Sequence, residues 1–279
     1  MGQVEGKAID ITCKRLPIRI PGPRRKYTIL EMRKHLASGI AGRQPVDLFE
    51  EVHSVVRQAL NPMYVPAAFA ESDLNKLHDF VEQNSFGMLV SDVGGLPFAG
   101  HLPFLLERQT GPQGTLIGHL ARANPQWTEA DGQNVLAIFP GSHAYISPTW
   151  YESEQVVPTW NYIAVHVYGR IQIIHDEPSL LQIVQRSIRF YEQAMPRPWS
   201  FDGATTFARR MLAQIVGFRI EIEKIEGKWK LNQNHPIERR KKVIAALLER
   251  GDENSRSIAA TMQQTLAAED IRHDNQLPT

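Results

Sequence analysis

The clearest period in the chain lies at 162–174. Ile163, Val165, Val167, Ile171 and Ile173 share one parity, while Tyr162, His166, Tyr168 and Arg170 take the other. Apolar residues repeating at every second position predict a strand that covers a core with one face. Phe218, Ile220 and Ile222 alternate with Arg219, Glu221 and Glu223 in the same manner, and Glu226-Gly227-Lys228 reads as the turn closing that strand. Shorter strands are predicted at 86–90, 97–106, 115–119, 135–139 and 144–147. Gly94-Gly95 and Gly111-Pro112-Gln113-Gly114 punctuate them.

Elsewhere the period lengthens and predicts helices. Leu74, Leu77 and Val81 follow Ser72, a candidate N-cap. Leu181, Val184, Ile188 and Tyr191 form one apolar stripe after Pro178. Phe207, Met211 and Ile215 form a second, with Gly217 as its expected C-cap. Residues 237–248 read as a helix that stops near Gly251. Ahead of Met63 the texture differs. Residues 1–26 hold Pro17, Pro21, Gly22 and Pro23 before Arg24, Arg25 and Lys26, and are expected to be disordered. Residues 46–60 carry Leu48, Val52, Val55, Val56 and Leu60 at helical spacing. The expected organisation is an N-terminal extension at 1–62, a strand-rich domain with C-terminal helices at 63–262, and a tail at 263–279. Antiparallel strands with helices inserted late predict an α+β fold, mainly β, built as a small barrel with helical additions.

Composition narrows the functional classes. The chain has 279 residues, 42% hydrophobic and 22% charged, an ordinary globular balance. Its formal charge is only +1, weaker than expected of a protein built to coat nucleic acid. That sum hides an asymmetry: residues 1–62 hold 11 Lys/Arg against 6 Asp/Glu, and the remainder is acidic. Cys13 is the single cysteine, which excludes intramolecular disulfides, iron–sulfur clusters and cysteine-rich zinc sites. No apolar run approaches the ~20 residues of a membrane span, and no secretory core opens the chain, so a cytoplasmic protein without a membrane partner is expected. Phosphate-loop, dinucleotide-fold, zincin and hydrolase-elbow motifs are missing. Ser142 and His143 are neighbours, which reads as a turn serine beside a strand histidine.

Candidate chemistry concentrates between His119 and Tyr162. In Gly118-His119-Leu120-Ala121-Arg122-Ala123-Asn124-Pro125-Gln126-Trp127 a strand runs into a loop bearing a cation, an imidazole, an amide and an indole. Arginine offers a planar fork suited to phosphate, and Asn a neutral donor. A surface loop whose Arg122 and Asn124 satisfy local carbonyls is the alternative. The stretches 139–151 and 157–162 add aromatic residues with small hydroxyl residues between them, the mixture a flat, partly apolar ligand needs. Core packing and subunit contact use the same aromatics. No residue stands out as a committed acid–base catalyst.

Several blocks in fixed order make the chain recognisable. They are Met63-Tyr64-Val65-Pro66 with Phe69, His101-Leu102-Pro103-Phe104, the His119 to Trp127 segment, Ala144 to Tyr151, Pro158 to Tyr162, and Glu226 to Asn234. Residues 63 to about 262 resemble the PaiB family of FMN-binding negative transcriptional regulators, members of the FMN-binding split-barrel class. The resemblance implies a split β-barrel homodimer with FMN held between subunits. By motif it places His119, Arg122 and Asn124 on the phosphate side. Tyr145, Ser147, Thr159, Trp160 and Asn161 fall on the ring and ribityl side. It also implies DNA as a partner, although no helix-turn-helix is visible and the basic run Glu238 to Lys242 reads as a solvated helix face. Split barrels also host oxidases and flavin reductases, so an FMN-dependent oxidoreductase is the alternative function.

Overall fold

The alternation at 162–174 does form a strand, and it lies at the middle of one sheet. A computed structural model describes residues 63–152 and 154–274; the expectations for 1–62 lie outside the described residues. The strands are β1 (Ala70–Glu71), β2 (Phe86–Val93), β3 (Leu96–Pro103), β4 (Leu105–Glu107), β5 (Thr115–Ala121), β6 (Asn134–Ile146), β7 (Thr159–Ile174) and β8 (Ile215–Lys230). The helices are α1 (Leu74–Gln83), α2 (Gln126–Ala130), α3 (Glu177–Glu192), α4 (Thr206–Leu212), α5 (Ile237–Arg250) and α6 (Glu253–Asp274). Neighbouring strands run antiparallel in the order β3-β2-β6-β7-β8-β5-β4, and β1 pairs with the far end of β8.

Two features of the expected architecture need correction. Helix contributes as much of the described chain as strand, so the fold is mixed rather than mainly β. The sheet is also an open path, because no ladder joins β3 to β4. Phe104 explains the break. The predicted strand at 97–106 divides there, and the ring turns inward to meet Phe139 and Phe218 edge-on at 5.3 and 5.7 Å. Burying that ring takes Phe104 out of the edge ladder, and its amide N–H donates to Ser85 O instead.

The long strands depart from the sequence reading for a shared reason. β6 joins the two strands expected at 135–139 and 144–147 through a bulge between Pro140 and His143. β8 carries on through Gly227, where a turn was expected. Its pairing with β7 slips between Tyr168 and Gly169, leaving Glu223 as an extra residue. Upstream of the slip the buried apolar side chains are Val216, Phe218, Ile220 and Ile222; downstream the buried apolar side chain is Trp229, with Gly227 at the same parity. The parity therefore changes within one strand, and from sequence this looks like an end. Gly227 serves packing: a Cβ there would collide with Leu77 of α1 and lie 2.5 Å from Trp229 Cζ3.

Helix faces and ends are also adjusted. Asp73, not Ser72, caps α1, accepting from the N–H of Asn75 and Lys76 at 2.9 and 3.3 Å. In α3 the buried residues are Leu180 and Ile183, so the face is rotated from the expected Leu181–Val184 stripe. α4 buries Ala208 and Leu212 while Phe207 and Met211 face outward. Ile215 already belongs to β8, and Gly217 sits inside that strand instead of capping a helix. Gly251 does end α5, at φ 70°. α6 runs past residue 262, so the expected tail begins as helix.

Candidate functional site

The end of β5 carries the phosphate-side candidates. His119 pairs with Gly217 of β8, and its Nδ1 is buried with no partner among the described residues. Burial holds this imidazole below its ordinary value of 6.5. The chain then turns sharply. Arg122 N–H donates to Gln214 O at 2.7 Å, Asn124 N–H to Ala121 O at 2.9 Å, and Trp127 Nε1–H to Arg122 O at 2.9 Å. The Arg122 guanidinium is exposed and reaches the α4–β8 connection, where Nε–H donates to Ala213 O at 2.7 Å and Nη2–H to Ile215 O at 2.8 Å. Those bonds use two of five N–H groups. Asn124 Oδ1 accepts from Gln126 N–H at 2.9 Å and opens α2, leaving its Nδ2 group without a partner among the described residues. Gln126 is fully buried and locks the turn from beneath, its Nε2 donating to Leu89 O and Ser91 Oγ.

The His119 environment sets a pH response. A folded-state value below the unfolded one means that the unfolded chain takes the proton first. Stability is then fully present above pH 6.5 and declines as pH falls below it. His166 and His235 are displaced in the same direction, chiefly by burial, and add to the effect. Thermal melts from pH 8 to 5 should show this decline, shallower in His119→Gln; an unchanged profile in the variant would remove His119 from the account.

The ring-side candidates gather where β6 and β7 meet the end of β8. Tyr145 and Trp160 are cross-strand partners with ring centroids 5.8 Å apart, 41% and 52% exposed. The His143 ring lies 6.0 Å from Trp160. Thr159 and Asn161 have the opposite parity. Asn161 is fully buried; its Nδ2 contacts Met262 Sδ at 3.4 Å and its Oδ1 has no partner among the described residues. Ser147 accepts from Thr149 N–H and caps a short 3₁₀ turn, so its hydroxyl is spent locally. Ser142 lies in the bulge of β6 and not in the expected turn, and its hydroxyl bonds Ser257 Oγ at 2.7 Å.

The ladder brings in two residues of the Glu226 to Asn234 block to which the motif assigns no role. Lys230 of β8 pairs with Tyr162 and donates to Thr159 Oγ1 and, at 2.7 Å, to Trp160 O. Burial, reinforced by the like charge of Lys228, holds its ammonium below the ordinary lysine value. Lys228 is itself buried, with Nζ 5.3 Å from the Tyr162 ring centroid. Arg250 fixes the other side: its Nη1 donates to Tyr145 O at 3.0 Å and its guanidinium lies 5.5 Å from the Trp150 ring centroid. Exposed aromatic rings beside Lys230 suit a flat ligand with anionic character.

The eight candidates therefore form two groups, not one. His119 meets Gly217 near the start of β8, whereas the Trp160 group meets Lys230 at its end. The strand between them measures roughly 40 Å along its length. Among the described residues no hydrogen bond or ring contact joins the groups.

One group thus holds an exposed guanidinium beside a buried imidazole, and the other a pair of exposed rings. Residues 63–224 match the family described as "Putative FMN-binding domain", and the chain belongs to this FMN-binding family. It is similar to the protease synthase and sporulation protein PAI 2 of Bacillus subtilis, 34% identical over 73% of this chain and 98% of that protein, which makes it PaiB-like. It is also 29% identical to an uncharacterised protein of Aspergillus fumigatus, over 72% of this chain and 97% of the relative. A flavocytochrome from Azotobacter vinelandii is a more distant structural likeness, with a TM-score of 0.48 and 13% identity over 61% of this chain and 74% of that one.

Proposed function

We propose that the protein binds FMN between two copies of the chain and acts as a flavin-dependent oxidoreductase. The observation that carries this reading is the Tyr145–Trp160 pair. The rings Phe104, Phe139 and Phe218 are fully buried, whereas these two lie open on adjacent strands beside Lys230. Large apolar rings left in water mark a contact surface. In the proposed dimer, Arg122 of one protomer neutralises phosphate charge with His119 and Asn124 as neutral donors, and Tyr145 and Trp160 of the other flank the ring system. The separation of the two groups within one chain supports such a shared site. The donor set fits: Arg122 retains three N–H groups, Asn124 Nδ2 is free to donate, and neutral His119 has one N–H.

When bound, the isoalloxazine supplies the electron-transfer chemistry. The protein residues bind and orient. Lys230 holds the Thr159–Trp160 backbone in place and provides positive potential at the ring side. Arg250 fixes Tyr145 through its carbonyl. A DNA-directed role draws less support from this surface. Within the basic run, Arg240 is buried against Glu269, Lys241 pairs with Glu238, Lys242 with Glu152, and Arg239 stacks over Tyr151.

Titration of the full chain with FMN, followed by flavin fluorescence, tests the reading. Tyr145→Ala combined with Trp160→Ala should weaken FMN by about tenfold or more, since aromatic contacts contribute ~0.5–1.5 kcal/mol each beyond burial. Sedimentation should report a dimer in the presence of FMN. A monomer, or a chain that ignores FMN at micromolar concentration, overturns the proposal.

A further inference from the structure

The outward stripe of α4 is the least expected surface on the molecule. Its periodicity reads as core-facing, yet Phe207 and Met211 are 57% and 39% exposed while Ala208 and Leu212 occupy the core side. The preceding connection continues the same character. Residues 193–200 are all exposed, with Met195 at 51% and Trp199 at 56%. This segment is tied down. Trp199 N–H donates to Glu192 Oε2 at 2.7 Å, the Trp199 and Phe201 rings lie 5.8 Å apart, and Gly203 packs directly against Leu181. Arg122 anchors the far end by gripping Ala213 O and Ile215 O.

Charge follows the same boundary. Residues 186–212 contain Arg186, Arg189, Arg197, Arg209 and Arg210, no lysine, and only Glu192 and Asp202 as acids; Arg186 pairs with Glu107 and Arg209 lies 3.8 Å from Glu177, which leaves Arg189, Arg197 and Arg210 outside any ion pair among the described residues. The rest of the chain from residue 63 carries a net −7. Arg210 lies 5.7 Å from the Phe207 ring centroid, so apolar and cationic groups interleave on the helix surface.

We propose that this α3–α4 surface docks on an anionic lipid bilayer, lying on the membrane without crossing it. Exposed Trp, Phe and Met enter the headgroup boundary, and the interspersed guanidinium groups pair with anionic headgroups. No helix among the described residues is long and apolar enough to span a membrane, which is consistent with surface attachment alone. Two competing occupants fit less well. A second copy in a two-fold contact centred on this surface would bring Arg189, Arg197 and Arg210 of each chain toward those of the other. A nucleic acid would use the arginines and rings but gains nothing from exposed Met195 and Met211.

The test is flotation of the full chain with vesicles of phosphatidylcholine alone and of three parts phosphatidylcholine to one part phosphatidylserine. Binding to the anionic vesicles should be at least about tenfold stronger, and should fall by a similar factor on raising sodium chloride to about 0.5 M. Arg209→Glu with Arg210→Glu should abolish it. Phe207→Ser with Met211→Ser should weaken it while far-ultraviolet circular dichroism and FMN affinity stay unchanged. Equal binding to both vesicle types, or to neither, overturns the proposal. So does a retained single-stranded oligonucleotide, or a change of oligomeric state in the Phe207/Met211 variant, each of which assigns the surface to another occupant.

Discussion

Gly169→Ala is expected to lower the stability of the fold by about 3 kcal/mol, the upper range for forcing a methyl into a packed interior. The residue faces the slip in the β7–β8 ladder, where β8 presses its backbone against β7. A Cβ on Gly169 would overlap the Glu221 carbonyl oxygen and lie 2.9 Å from Ile220 Cγ2. A carbonyl held in a ladder cannot swing away as a side-chain tip can. Gly227→Ala provides the contrast, because its nearest neighbours are side-chain atoms of Leu77 and Trp229 and can shift. Urea unfolding should place the Gly169 variant well below wild type and the Gly227 variant between them. Equal midpoints for wild type and Gly169→Ala would show that the ladder is not held at this slip.

The second large effect is on ligand affinity. Arg122→Ala should weaken FMN by about one to two decades, since losing a charged hydrogen-bond partner costs ~1.5–3 kcal/mol. Riboflavin, which lacks the phosphate, should bind the variant and the wild type alike. The guanidinium also clamps Ala213 O and Ile215 O, so the ligand-free variant should melt at a lower temperature, with a loss of about 1–2 kcal/mol for two exposed bonds. Arg122→Lys should restore part of the FMN affinity, because an ammonium cannot reproduce the fork. If FMN and riboflavin lose equally, Arg122 is a clamp and nothing more.

These two residues also show where sequence reading succeeds and stops. β7 is legible because its period of two survives from Asn161 to Ile171 without interruption. β8 is legible only as far as Ile222, because Glu223 adds one residue and moves every later side chain to the other face. Phe207 and Met211 announce a helix, but periodicity does not say whether its apolar side meets a core or water. His119, Arg122 and Asn124 are legible as neighbours because they lie within six residues at the end of β5 and the turn after it. Lys228 and Lys230 are not, because only the ladder brings them beside Tyr162 and Trp160. The carbonyl partners of Arg122 lie about ninety residues downstream, beyond any local pattern.

The position of β8 in the sheet has a consequence for how the protein is made. It pairs with β7 on one side and β5 on the other, and takes β1 at its far end. Without it the ladder separates into β3-β2-β6-β7 and the small pair β5-β4. During synthesis from the N-terminus, both fragments must wait, with open edges, until Lys230 has left the ribosome. The β5–β8 contacts close a loop of about 100 residues, a slow step in any chain. A transcript truncated before β8 therefore yields two unsatisfied strand edges, the kind of surface that recruits chaperones or aggregates, and not a smaller working protein.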